Sequence, residues 1–182
     1  MIASDNAVLE LIFNPELQGQ GFSSLETDTQ EKDKYATDID PKVLQELKQT
    51  EQEAIELANN GKLKDALNAL NTCISREPAY APAYNNRAQV NRLLKDNDAA
   101  LKDLDSAIEK ANGQNWILRQ AYTQRAILKK QMGDKDGSLE DFQLGAKHGS
   151  PIAREIAVSE NPYAKMCNQA VMEVMSREFN IQ

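Results

Sequence analysis

The sequence is poor in the residues that carry most enzyme chemistry. Its 182 residues include one histidine, two cysteines and one tryptophan, and aromatic residues make up 5% of the chain. Cys73 and Cys167 are far apart and do not form a CxxC pair, so we expect reduced, buried thiols of an intracellular protein. One imidazole cannot complete a zinc site with them, and His148 is expected at a solvated helix C-terminus.

Motifs for catalysis and cofactor binding are also missing. We find no Gly-rich phosphate loop and no Ser/His/Asp or Cys/His arrangement. Acidic residues cluster at 96–105 and 133–141, but neither segment has the alternating oxygen ligands, central glycine and final glutamate of an EF-hand loop. We therefore predict a protein that is not an enzyme and uses no cofactor or metal.

Long apolar runs, glycine and proline are equally scarce. No stretch approaches the roughly 20 apolar residues of a membrane span, and no charged segment followed by an apolar one opens the sequence. We expect a cytoplasmic protein with no membrane contact. The 8 glycines and 6 prolines are few for a turn-dense sheet, which favours an all-α fold.

Negative charge is concentrated at the N-terminus. Residues 1–40 contain nine acidic residues and two lysines, whereas the rest of the chain has 19 acidic and 19 basic residues. Because the remainder has no net charge, we expect no nucleic acid partner. Residues 1–15 predict a short helix with an apolar stripe, and residues 16–41 predict a flexible acidic linker. The short helix either docks on the folded body or stays a disordered tail that binds a partner.

Beyond the linker, apolar residues recur with the period of an α-helix. The predicted helices are 42–59, 62–76, 82–95, 97–111, 114–132, 135–147, 151–159 and 162–179.

Three segments align without gaps: "NGKLKDALNALNTCISREP" (60–78), "LKDNDAALKDLDSAIEKAN" (94–112) and "MGDKDGSLEDFQLGAKHGS" (132–150). Their intervals are 34 and 38 residues, since Gly61 matches Lys95 and Lys95 matches Gly133. A repeat of about 34 residues made of two antiparallel helices is typical of the tetratricopeptide repeat (TPR). We predict a TPR solenoid over 42–152, with three units at about 47–80, 81–114 and 119–152.

The segment 153–182 predicts helices that cap this solenoid. A terminal repeat leaves an apolar face that needs a cover. The last helix has a stripe to provide it, formed by Ala164, Cys167, Val171, Val174, Met175 and Phe179.

The first helices of TPR units line a concave face that binds partners. We predict a partner-binding groove rich in amides, suited to the backbone of an extended segment or to a polar protein surface; the alternative is a solvated concave face that binds no ligand. Its residues are Lys48, Glu51, Gln52, Ile55, Asn85, Asn86, Gln89, Arg92, Gln120, Thr123, Gln124, Ile127, Lys130 and Gln131.

This groove does not match the carboxylate clamp with which TPR co-chaperones hold the C-termini of Hsp70 and Hsp90. The clamp uses Lys and Asn in the first repeat, Asn in the second, and Lys and Arg in the third. The matching positions here are Glu51, Ile55, Asn86, Gln120 and Gln124, so only Asn86 is retained. Since charged hydrogen bonds are roughly twice as strong as neutral ones, losing three cations removes the main binding energy.

Three short motifs together resemble the tetratricopeptide repeat protein 36 family: "NAVLELIFNP" (6–15), "AYNNRAQ" (83–89) and "ENPYAKMCNQAV" (160–171). The resemblance implies a non-catalytic cytosolic adaptor with links to Hsp70-type chaperones and to tyrosine metabolism. A chaperone contact would then not use the standard clamp. Two classes of function remain: a monomeric adaptor that holds a protein client, and an assembly subunit that acts through oligomer contacts.

Overall fold

The structure is a computed structural model that describes residues 39–179, without the side chains of residues 164, 165, 168 and 177–179. The predicted N-terminal helix and most of the acidic linker lie outside the described residues. All regular elements in the described range are α-helices: α1 (Pro41–Asn59), α2 (Leu63–Arg76), α3 (Ala81–Leu93), α4 (Asn97–Lys110), α5 (Asn115–Gln131), α6 (Lys135–Lys147), α7 (Pro151–Glu160) and α8 (Pro162–Phe179). Every end lies within two residues of its predicted position, so the predicted helices are confirmed.

The helices α1 to α6 form three helix–turn–helix units that stack in chain order. Within each unit the two helices pack together, and each second helix packs on the first helix of the next unit. The first helices α1, α3 and α5 also contact one another, so they share one face of the stack. This is the solenoid arrangement that the repeat predicted.

The turns inside the units confirm the repeat register. Gly61, Lys95 and Gly133 are the aligned turn residues, and all three have positive φ angles, of 74°, 62° and 89°. This left-handed conformation costs nothing for glycine, but it strains the lysine that replaces glycine in the second unit. The next residue is an aspartate N-cap in units two and three, where Asp96 and Asp134 accept hydrogen bonds from Ala99 N and Gly137 N.

Small residues set how closely the helices approach. The aligned residues Ala66 and Ala100 are fully buried, and Gly145 takes the last small position of the third unit. A Cβ atom on Gly145 would lie 3.0 Å from both Ala153 Cβ and Thr123 Oγ1. A larger residue at this position would therefore require α5 or α7 to shift by a few tenths of an ångström.

The helix α7 covers the end of the third unit. Ser150 caps it by accepting a hydrogen bond from Ala153 N, and Ala153 is fully buried beside Phe142. Ile156 and Ala157 complete this cluster. The predicted cap is thus present, but it is formed by the first of the two C-terminal helices.

The prediction that the stripe of α8 covers the solenoid end is wrong. Every described side chain of α8 is exposed, and Val171 and Val174 are each 55% exposed. The reason is that α7 already closes the third unit, while extended backbone at Asn161 (ψ 123°) ends α7 before α8 begins. The expectation of buried thiols is accordingly confirmed for Cys73 and wrong for Cys167, which is exposed.

Candidate functional site: the face of the first helices

The fifth position of each repeat unit, counted from residues 47, 81 and 119, contacts the next unit of the solenoid. In unit one this residue is Glu51, whose carboxylate accepts a hydrogen bond from Asn86 Nδ2 at 2.7 Å and another from the Tyr80 hydroxyl. Burial raises the pKa of Glu51, although both hydrogen bonds and the charge of Lys48 act to lower it. This half-buried carboxylate, with its two neutral donors, joins α1 to α3.

The equivalent residue in unit two is Asn85, which joins α3 to α5. Its Nδ2 donates to Gln120 Oε1 at 3.3 Å, and its Oδ1 accepts from Gln124 Nε2 at 3.1 Å. Asn85 is 3% exposed and Gln124 is 2% exposed. Buried amides need such partners, because an unpaired one loses its hydrogen bonds to water without replacement.

The same position in unit three is Thr123, which lies against the start of α7. Its hydroxyl is 2.9 Å from Ser150 Oγ and 2.5 Å from the carbonyl oxygen of Arg119. Position five therefore makes the contact to the next unit three times, with a carboxylate, an amide and a hydroxyl in turn.

These contacts correct the expectation of an amide-rich groove offered to a ligand. Asn85, Asn86, Gln120 and Gln124 all bond to neighbouring units. Gln89 is also buried, but its Nε2 has no hydrogen bond partner among the described residues. Of the remaining predicted groove residues, Thr123 and Ile127 are buried, Glu51, Ile55 and Arg92 are half-buried, and Lys48, Gln52, Lys130 and Gln131 are exposed.

The geometry also removes what was left of a carboxylate clamp. Asn86, the one retained clamp residue, already donates to Glu51. A peptide carboxylate placed there would meet the Glu51 carboxylate instead of a lysine, and like charges at this distance repel. Ile55 has no polar group to offer.

Two arginines that lie one position beyond the clamp sites are held by aspartates. Arg87 donates to Asp103 through Nε at 2.9 Å and Nη2 at 2.5 Å, and Arg125 donates to Asp141 in the same way at 2.8 and 2.7 Å. Lys129 Nζ adds a further contact to Asp141 at 2.8 Å. Neither guanidinium is available to a peptide carboxylate.

Sequence reasoning missed these pairs because Asp103 was grouped with the acidic residues around a turn. A signal was present, since Arg87 and Asp103 are 16 residues apart, as are Arg125 and Asp141. Unit one has Glu53 and Ala69 at the aligned positions and makes no such pair.

His148 occupies the predicted helix end, but it is packed there. Its ring stacks on Tyr122 with 5.7 Å between ring centroids, and Nδ1 is 2.8 Å from Asn115 Oδ1. Burial and the charge of Lys147 lower the pKa of His148. The contacts tie the C-terminus of α6 to the start of α5.

Burial raises the pKa of the Cys73 thiol to about 11, and the charge of Glu51 adds to this effect. A raised pKa disfavours the thiolate, which is the nucleophilic form. Between residues 39 and 179 we find no group of three or more His, Cys, Asp or Glu side chains that could hold a metal ion. No helix within the described range is long and apolar enough to cross a membrane.

Comparison with known proteins agrees with this architecture. A family model described as "Tetratricopeptide repeat" matches residues 81–109. Among solved structures, the first TPR of Spaghetti (RPAP3) bound to the HSP90 peptide SRMEEVD superposes with a TM-score of 0.52 at 14% identity, over 72% of this chain and 94% of that one. The Yersinia enterocolitica type III secretion translocator chaperone SycD gives a TM-score of 0.51 at 13% identity, over 74% and 95%. The molecule is therefore a TPR solenoid, a class of protein–protein interaction module.

Full-length relatives define the family. The chain is 38% identical over 175 residues to tetratricopeptide repeat protein 36 of Danio rerio, covering 96% of this chain and 93% of the relative. The identity is 40% over 173 residues with the Nematostella vectensis homolog (95% and 94%) and 34% over 177 residues with the Homo sapiens protein (96% and 94%). The chain belongs to the tetratricopeptide repeat protein 36 family.

Proposed function

We propose that this protein is a non-catalytic, monomeric cytoplasmic adaptor that holds a protein client on the face of its first helices. The observation that supports this proposal is the repeated contact at position five. Glu51, Asn85 and Thr123 fix the three units relative to one another. A surface that is ordered before binding loses little conformational entropy when a partner docks.

The exposed groove residues indicate which part of this face meets a client. Lys48 and Gln52 on α1 and Lys130 and Gln131 on α5 are exposed at the two sides of the buried central amides. Lys48 and Lys130 favour a client surface with acidic residues at matching separation, and an acidic client residue would compete with Glu160, which lies 3.3 Å from Lys130 Nζ. Charge complementarity of this kind acts mainly on the rate of association.

The resemblance to the family supports a finer proposal for the client. We propose an Hsp70-type chaperone contact and a role in tyrosine metabolism, in which the adaptor binds or stabilises a protein of that pathway. The solved TPR neighbour binds an HSP90 peptide, but in this chain Glu51 holds Asn86 at the corresponding place. The chaperone contact proposed here therefore involves a folded surface and not a C-terminal carboxylate.

Binding of a purified Hsp70-type chaperone, measured by biolayer interferometry, tests this proposal. We expect the full-length chaperone and a variant without its C-terminal tail to bind equally, and a free peptide ending in consecutive acidic residues to bind with a Kd above 100 μM, roughly −5 kcal/mol or weaker. The double variant Lys48→Glu/Lys130→Glu should weaken binding at least tenfold. The matched control, Lys64→Glu/Lys102→Glu, changes exposed lysines on the second helices and should bind normally.

Three results would contradict the proposed chaperone contact: no binding of the full-length chaperone, binding that needs the tail, or equal loss of binding in both double variants.

Size-exclusion chromatography with light scattering tests the alternative of an assembly subunit, for which α8 offers an exposed apolar surface. A monomer supports the adaptor, and a stable homo-oligomer supports assembly.

A further inference from the structure

Exposed apolar side chains are concentrated at the C-terminal end of the described chain. Among the described residues ten large apolar side chains are exposed; seven of them lie between Val158 and Met175, and none lies in α1 or α2. Six of them belong to α8: Tyr163, Met166, Val171, Met172, Val174 and Met175. An exposed apolar patch of this kind on a soluble domain marks an interaction surface.

The patch has a preferred side. With 3.6 residues per turn, Tyr163, Met166, Val171 and Val174 point within an arc of about 140°. Cys167 lies inside the same arc and is exposed. The face is therefore wide enough for one helix to pack along α8.

A cleft of about 510 Å³ adjoins the start of α8. It lies between the end of α5, the start of α6 and the α7–α8 junction, and its apolar lining includes Leu139, Phe142 and Pro162. Two lysines and two acidic residues also line it, namely Lys130, Lys135, Asp136 and Glu160, and Lys130 Nζ lies 3.3 Å from Glu160 Oε1. The surface beside α8 thus combines an apolar lining with charges of both signs.

The segment at residues 4–13 has an apolar face that can pack on this surface. Its sequence, SDNAVLELIF, places Ala7, Val8, Leu11 and Ile12 on one helical face and includes the acids Asp5 and Glu10. A helix of ten residues is too short to be stable alone in water, so its apolar face needs a partner.

The intervening chain is long enough to bring the segment to α8. A flexible chain of 25 residues, the number between 14 and 38, has a root-mean-square span of about 25–30 Å and reaches about 80 Å when fully extended. Eight helices packed at 8–10 Å spacings extend at most about 70 Å. Because the tether gives an effective concentration in the millimolar range, the segment outcompetes a second copy of the protein at micromolar concentration.

We propose that residues 4–13 form a helix that docks its apolar stripe on the exposed face of α8. The face of α8 then serves as an intramolecular docking site in the client-free protein. Among the residues that the structure describes, the first repeat has no exposed large apolar side chain to compete for the segment.

Disulfide trapping in the full-length protein tests the contact directly. In an Ala7→Cys variant, mild oxidation with oxidised glutathione should link residue 7 to Cys167 within one chain, detected by peptide mass mapping. Leu9 lies on the opposite side of the predicted helix, so Leu9→Cys is the matched control and should form at least tenfold less of this link. Adding Leu11→Asp to the Ala7→Cys variant should abolish it.

Hydrogen exchange on the same protein gives an independent readout. We expect slowed exchange at residues 8–13, and faster exchange at residues 166–175 in Leu11→Asp but not in Leu9→Asp. Exchange at the rate of an unstructured peptide throughout residues 4–13 would overturn the proposal. So would links formed only between two chains, which would assign the α8 face to a second copy.

Discussion

The carboxylate of Glu51 and the side-chain amide of Asn86, with 2.7 Å between Oε1 and Nδ2, join the first unit of the solenoid to the second. In a clamp-type TPR protein these two positions face a ligand carboxylate; here one supplies the carboxylate and the other binds it. The site that would capture an acidic tail is occupied by a side chain of the protein itself. The solenoid thus has a contact between its first two units in place of a carboxylate clamp.

Glu51 should make the stability of the protein depend on pH. Burial raises its pKa above the ordinary value of 4.5. At pH values between 4.5, the pKa of Glu51 in the unfolded chain, and its raised pKa in the folded protein, the folded protein binds more protons than the unfolded chain. The free energy of unfolding therefore falls as the pH rises through this window. We expect Glu51→Gln to remove this fall, because a glutamine can accept from Asn86 and donate to the Tyr80 oxygen.

Urea denaturation between pH 4.5 and 8 measures this effect as the difference in unfolding free energy between wild type and variant. The exposed Glu140→Gln is the control and should leave the pH dependence unchanged. A difference that is constant with pH, or that grows in favour of wild type as the pH rises, would contradict the prediction.

Asp141 should be the most sensitive charged residue of the third unit. It is 2% exposed and binds both Arg125 and Lys129. Asp141→Ala leaves two partly buried cations without their carboxylate, and breaking such a pair costs about 3–5 kcal/mol of unfolding free energy. Asp105→Ala removes another partner of Arg125, but its side chain is 62% exposed, so the loss should stay below about 1 kcal/mol. Similar losses for the two variants in urea denaturation would show that burial does not decide the outcome.

Lys95 should be replaceable by glycine with a gain in stability. Its φ of 62° costs a side-chain-bearing residue about 1–2 kcal/mol, whereas glycine loses about 0.5–1 kcal/mol of backbone entropy. We expect Lys95→Gly to stabilise the protein by about 0.5–1 kcal/mol in urea denaturation. The matched control is Lys62→Gly at a φ of −82°, where no strain is relieved and stability should fall slightly. If both variants lose stability equally, the turn is not strained.

The sequence predicted the helices and their register because both depend on local, periodic features. Gly61, Lys95 and Gly133 occupy the same position in the ungapped alignment of the three repeats, and all three have positive φ angles in the structure. The amide contacts could not be predicted in this way. The partners of Asn85 are 35 and 39 residues away, and whether an amide faces solvent or the next unit depends on how closely two units stack. The stripe of α8 shows the same limit, since periodicity identifies an apolar face but not the surface that covers it.

Two truncations should separate the roles of the C-terminal helices. Every described side chain that is removed by deleting residues 162–182 is exposed. We therefore expect the Tm to change by about 3 °C or less, corresponding to roughly 1 kcal/mol for a chain of this length. Deleting residues 151–182 also removes Ala153, Ile156 and Ala157, which cover Phe142 and Ala126. This larger deletion should lower the Tm by about 10 °C or more, or make the protein precipitate, because a terminal repeat without its cap exposes an apolar face. Differential scanning calorimetry measures both variants. If the variant that lacks only residues 162–182 is unfolded, then α8, and not α7, closes the solenoid. That result would also rule out a free docking face on α8.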